Sequence, residues 1–367
     1  MLIYFKWLTC IKSQVLFTSA LKNVIIIGSG LAGLTAAYLL KKKGISAQIL
    51  EARSRYGGRI YTQFAKNETP IEMGATWLSS QHTQLLALLE ELNIDIFPQT
   101  MEGISLFEAM SMAPPQHFHI PENTEPSFRI QGGTSALIDA LVDKVDVECI
   151  QLNTTVRSID FNQEQAHVIS SQGEHFADVV INTVPPHLAM QSITYTPALS
   201  NDLYEVANNT QTWMANSIKF AVVYETPFWR AQGFSGTAFS NSGIAGEIYD
   251  HATVQDDKFA LLGFLGEGAY SLTKGDRKAK VFTQLEKYFG IEAQIYLSYH
   301  EVCWKDEIFT SQNNEAFLLP HQNNGHALLM ESKFDGRLHF AGTETSPIFP
   351  GYMEGAVLSA QRVVSNI

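Results

Sequence analysis

The chain has 367 residues, 45% hydrophobic and 17% charged, the make-up of an ordinary globular protein with core enough for two domains. Its formal charge of −12 argues against a nucleic-acid surface and mildly favours cationic small molecules. Three widely spaced cysteines, Cys10, Cys149 and Cys303, include no C-x-x-C pair and fit a reducing, cytoplasmic setting better than a disulfide framework.

Residues 1–21 read as an N-terminal extension. Lys6 and Lys12 interrupt its apolar positions, and Val15-Leu16-Phe17 falls far short of the roughly 20 apolar residues of a membrane span. A signal peptide cut near Ala20 would leave almost nothing before the first strand, and no membrane anchor is expected at the C-terminal end, which closes in a helix. The first strand is Val24-Ile25-Ile26-Ile27, a β-branched run that predicts burial on both faces. Gly28-Ser29-Gly30-Leu31-Ala32-Gly33 and an apolar helical stretch follow it. Gly28 permits the turn, Gly30 admits a pyrophosphate to the backbone, and Gly33 lets helix and strand pack closely, while the helix start at Leu31 and Ala32 offers free N–H groups. A second strand, Ala47-Gln48-Ile49-Leu50, delivers Glu51, 23 residues after Gly28, whose carboxylate suits the hydroxyls of an adenosine ribose. NAD and FAD share that ribose, so the pattern predicts a dinucleotide without choosing between them.

The next residues make the choice. In Glu51-Ala52-Arg53-Ser54-Arg55-Tyr56-Gly57-Gly58-Arg59, Ala52 and Arg53 can lie along the adenosine side, and a second glycine turn brings Gly58 and Arg59 to the pyrophosphate. A nicotinamide site has no need of this second loop. The string resembles the flavin-containing amine oxidase family, which includes monoamine oxidases, polyamine oxidases and L-amino acid oxidases. Further resemblances follow in the family's order. Gly74-Ala75-Thr76-Trp77 is similar to the segment near the flavin, Arg129-Ile130-Gln131-Gly132-Gly133 to the re-entry into the FAD domain, and Leu152–Val156 to the strand whose valine backbone meets the adenine. Phe340-Ala341-Gly342-Thr343-Glu344-Thr345 and Gly351-Tyr352-Met353-Glu354-Gly355-Ala356 close the series.

The resemblance implies an α/β fold: a Rossmann-like FAD-binding domain built from three segments, 22–80, 129–186 and 335–367, with an α+β mixed-sheet substrate domain from 81–128 and 187–334. It also implies roles. Gly342, Glu344, Met353 and Ala356 join the cofactor contacts, Met353 through its backbone donor at the start of a helix running to about Val364, whose positive dipole end favours an anionic reduced flavin. Lys219, in the alternating strand Asn216–Tyr224, corresponds to the lysine that holds a water against flavin N5, and Tyr352 to one aromatic wall of the substrate site. The implied reaction removes a hydride equivalent from the carbon bearing an amine, with dioxygen reoxidising the flavin to give hydrogen peroxide. An ungapped count puts Asn314 where monoamine oxidases carry the cysteine bonded to flavin and Glu315 where they carry the second aromatic wall. No cysteine follows Cys303, so the FAD is expected to be non-covalent.

Other motifs have plain readings. His117-Phe118-His119 among prolines predicts a loop and His300-Glu301 lacks a zinc protease's second histidine, so no metal is expected. Strands are predicted near 217–224, 259–265 and 326–330, a helix near 277–289, and a hairpin turn at Asn323-Asn324-Gly325. Pro114, Pro115, Pro121 and Pro126 leave little room for helices before Arg129, which predicts an open entrance walled by the stretch from Phe228 through Tyr249 to Tyr270. Two rival functions share the scaffold: a C–C desaturase or protoporphyrinogen oxidase, and a flavin-binding protein without turnover.

Overall fold

The computed structural model describes residues 22–121, 124–310 and 318–367. The N-terminal extension and the Asn314 and Glu315 positions lie outside them. Val24–Ile27 is fully buried because it is a central strand, flanked in parallel by Ala47–Leu50 and Val179–Asn182. Ile150–Gln151 and Leu338–Phe340 complete a five-stranded sheet. Its side chains alternate between two cores. Val24 and Ile26 meet the helices Leu31–Lys42, Ser135–Val145 and Met353–Ser365, and Ile25 and Ile27 meet a four-stranded sheet running from Val156 to Thr196.

A seven-stranded sheet forms the other half, in the order Ser298–Cys303, Ile218–Tyr224, Phe259–Leu265, Ala245–Asp250, Phe234–Ser240, Ile104–Glu108, Gln116–Phe118. The strand Ile218–Tyr224 is buried along its whole length. Its period-2 pattern sends Ile218, Phe220 and Val222 into a core with the helix Lys274–Phe289. Ala221 and Val223 face the opposite side, where they pack with Ile71 and Met73, and Lys219 shares that face.

Three local expectations are corrected. Residues 326–330 form the short helix Ala327–Met330 instead of a strand, because the His326 ring caps it by accepting the Leu328 N–H at 3.2 Å. Asn323-Asn324-Gly325 is a turn that leads into this helix, with no hairpin. Gln116–Phe118 is an edge strand paired with Ile104–Glu108, so His117 lies in a ladder and not in a loop. The helix predicted near 277–289 starts earlier, at Lys274, where the Thr273 hydroxyl accepts the Asp276 N–H. The last helix begins at Met353, since Tyr352 is an extended N-cap.

The contact between the first strand and its helix has no slack. A Cβ on Gly33 would run into the Gly28 carbonyl and crowd the Ile26 side chain. Gly33→Ala should therefore lower stability by about 1–3 kcal/mol, read from the denaturation midpoint.

Candidate active site

A cleft of about 630 Å³ runs between the two halves, within the range of small-molecule sites. One end is built from bare backbone. Gly28 adopts φ +100°, a conformation that favours glycine, and Gly30 bridges Gly57 of the second glycine turn, whose N–H donates to Ser29 O at 2.9 Å. Glu51 is 4% exposed, and its carboxylate is fixed by three donors: Ser29 N–H at 2.7 Å, Ser29 hydroxyl at 2.8 Å and Arg53 N–H at 2.8 Å. That leaves lone pairs unused on a fixed carboxylate that lines the cleft. Arg53 reaches over this end to the Thr310 hydroxyl at 2.7 Å.

Most of the sequence-predicted residues converge here. Gly28, Gly30, Leu31, Ala32, Glu51, Ala52, Arg53, Gly58 and Arg59 line the cleft, as do Gly74, Ala75, Thr76, Val156, Lys219, Gly342, Tyr352, Met353 and Ala356. Two do not. Gly33 is buried in the turn, where its role is packing, and Glu344 lies behind the wall, fully buried, and acts on the cleft through Arg59. The Arg59 guanidinium makes a two-pronged pair with Glu344, at 2.5 and 2.9 Å, and donates to the Trp213 carbonyl at 3.1 Å.

At the other end the helix Met353–Ser365 points its first turn into the cleft without a side-chain cap. The nearby Glu354 carboxylate is turned away, accepting the Gln84 and Leu85 N–H groups of the helix Thr83–Glu91. Free donors and the positive dipole end therefore face the cleft, which suits the electron-rich edge of a flavin. Lys219 lines the same cleft with no solvent exposure. Its ammonium donates to the Gly74 carbonyl at 2.7 Å and to the Thr76 hydroxyl, and it lies 5.2 and 5.1 Å from the Trp77 and Phe264 ring centroids. Burial lowers its pKa to about 7, opposed by the charge of the buried Glu72 carboxylate.

Reasoning from sequence missed Trp213 and Thr310 as cleft residues, and it named the 228–270 stretch as a wall without singling out Glu247 and Phe264, which line the cleft. Glu247 and Tyr249 carry the one usable signal, the i, i+2 spacing that puts both on one strand face. Trp213 sits in a loop and had none. Among the described residues no cluster of His, Cys, Asp and Glu could hold a metal, and no helix is long and apolar enough to cross a membrane.

Fold and site together define a flavin-dependent oxidoreductase. The profile of the flavin containing amine oxidoreductase family matches residues 31–109 and 102–367, and the chain belongs to that family. Relatives include Probable flavin-containing monoamine oxidase A of Dictyostelium discoideum, 26% identical over 95% of this chain and 98% of that protein. Putrescine oxidase of Kocuria rosea is 24% identical, with 80% of this chain and 84% of that protein covered. Among solved structures, cyclohexylamine oxidase from Brevibacterium oxydans superposes with a TM-score of 0.83 at 20% identity, covering 94% of this chain and 98% of that one, so the two share a fold. The Dictyostelium alignment spans 455 positions against the 367 residues here, so that relative carries internal segments this chain lacks.

Gly30 tests the flavin cradle. A Cβ there meets nothing closer than 4.0 Å, so Gly30→Ala should fold with a stability change within about 1 kcal/mol yet purify with far less flavin, seen by visible absorbance.

Proposed function

We propose that this enzyme is an amine oxidase that binds FAD non-covalently and oxidises the C–N bond of a small amine to an imine, with hydride transfer to flavin N5 and reoxidation by dioxygen giving hydrogen peroxide. The observation that carries the reading is Lys219, buried between aromatic rings in the wall of a cleft that an uncapped helix start also lines. The cofactor-binding part would comprise 22–80, 129–186 and 335–367, and the substrate part 81–128 and 187–334. Neither described cysteine, Cys149 or Cys303, lines the cleft, which supports non-covalent binding.

When bound, FAD supplies the hydride acceptor and the site of dioxygen reduction. The chain's own residues do the rest. Glu51, through its three fixed donors, would hold the ribose hydroxyls, and the bare backbone at Gly30 and Gly58 would take the phosphates. Lys219 would hold a water at the reacting end, with two protons already committed to Gly74 and Thr76 and the third free to donate. Trp77, Tyr249, Phe264 and Tyr352 surround that end with rings, which exclude water and favour the neutral amine that hydride loss requires.

Glu247 supports an amine over an uncharged polyene or a carboxylate-bearing porphyrin. It is a carboxylate in an otherwise aromatic wall, held by the Tyr249 hydroxyl at 2.9 Å, and it suits an ammonium on the incoming substrate or a second amino group on a diamine such as putrescine. Glu247→Gln should raise KM for diamines about tenfold or more while changing KM for a monoamine by less than about threefold, measured by peroxide release.

Lys219→Met should retain FAD and slow flavin reduction or reoxidation at least about tenfold in stopped-flow traces; unchanged rates in both half-reactions would remove Lys219 from the site. The pH profile gives an independent readout. With its pKa lowered to about 7, Lys219 loses its proton as pH rises through neutrality. The lysine-dependent step should therefore change across that range in the wild type and lose that limb in Lys219→Met.

A further inference from the structure

The Asn323-Asn324-Gly325 turn clamps a neighbouring loop. The Asn323 side-chain amide donates to the carbonyls of Val206 at 3.3 Å and Asn209 at 3.1 Å, and that of Asn324 donates to Gln211 O at 3.1 Å. Gln211 answers twice: its N–H donates to Gln322 O at 3.0 Å, and its side-chain oxygen accepts the His321 N–H at 3.1 Å. Gly325 N–H donates to Glu344 O at 2.8 Å, tying the clamp to the residue that holds Arg59.

The clamp sets the position of one ring. His321 lies flat on Trp213, with centroids 5.0 Å apart and planes 9° from parallel. Trp213 in turn lies 6.5 Å from Tyr352 with planes 22° apart. Gly351 makes room for it, since a Cβ there would approach Trp213 Cγ to 3.2 Å. Trp213 and Tyr352 both line the cleft and remain 38% and 45% exposed, so their ring surfaces are not consumed by the core.

We infer that Trp213 is a specificity-determining residue of the amine site, forming with Tyr352 the aromatic wall against which the apolar body of the substrate lies. The inference rests on the amine-oxidase reading and extends it: the ring comes from the loop before the lysine strand, not from the 314–315 position at which the family's second wall was sought. His321 backs the indole from behind and Arg59 anchors its carbonyl, so the wall is rigid before a ligand arrives. A flat or branched amine gains contact with both rings, whereas methylamine reaches too little of them to benefit.

The test uses the FAD-loaded enzyme, with Trp213→Ala, Trp213→Leu as a volume-keeping variant without a π face, and Trp213→Phe as the conservative rescue. Benzyltrimethylammonium, which cannot be oxidised, is titrated through its perturbation of the flavin spectrum, and anaerobic reduction is followed with benzylamine and methylamine. Trp213→Ala and Trp213→Leu should weaken the probe about three- to tenfold and slow benzylamine more than methylamine, with Trp213→Phe recovering most of both. Flavin-loaded Trp213→Leu that binds the probe and reduces with benzylamine as the wild type does would overturn the inference, and so would a wild type that fails to bind the probe. Wild-type binding of the probe with no reduction by any amine would sink the amine-oxidase reading alone, because the probe titration still decides the wall.

Discussion

The structure depends on one close approach of backbone to backbone. The helix Leu31–Lys42 meets the strand Val24–Ile27 across Gly33, where a hydrogen atom is all that fits against the Gly28 carbonyl. That approach aims the helix start into the cleft and lets the second glycine turn lie against the first through Gly30 and Gly57. A surface of unobstructed peptide groups results, and phosphates bind such a surface without a side chain having to move. The other walls are arranged around this fixed edge. Glu51 is locked to Ser29 within the same turn, and Arg53 reaches from it to Thr310 across the cleft.

The two halves of the molecule meet over charges that burial has made sensitive to their surroundings. Lys219 enters from the seven-stranded sheet and finds its acceptors on the segment around Gly74 and Thr76, which follows the short strand Pro70–Glu72. Its pKa is lowered because an ammonium without water loses solvation that two acceptors and a nearby carboxylate replace only in part. Behind it, Glu72 accepts the Thr134 N–H at 2.6 Å and the Thr62 hydroxyl, so the countercharge also caps the helix Ser135–Val145. The electrostatics of Lys219 and the packing of the five-stranded sheet thus share one residue.

The family match falls in two stretches that overlap at residues 102–109, on the strand Ile104–Glu108 near the end of the seven-stranded sheet. The second stretch runs through the strand Ile218–Tyr224 and the terminal helix Met353–Ser365. At the cleft, Trp213 lies between the rings of His321 and Tyr352.

The sequence by itself determined the glycine-turn end of the cleft. Strand, glycine turn, helix and acid are contiguous in the chain, and local sterics dictate what each glycine is for, so Gly28, Gly30, Gly33 and Glu51 could be read with a physical reason attached. Lys219 and Tyr352 were legible only through resemblance, because a lysine in a strand and a tyrosine before a helix have ordinary uses. Tertiary structure alone decided three things. It paired Arg59 with Glu344 across 285 positions, it turned Glu247 into the cleft, and it carried Trp213 from a loop to the side of Tyr352. The short helix at 327–330 is a local matter, set by the His326 ring that caps its first turn. Contacts between residues distant in sequence leave no periodic trace; they exist only once the sheets have brought their loops together.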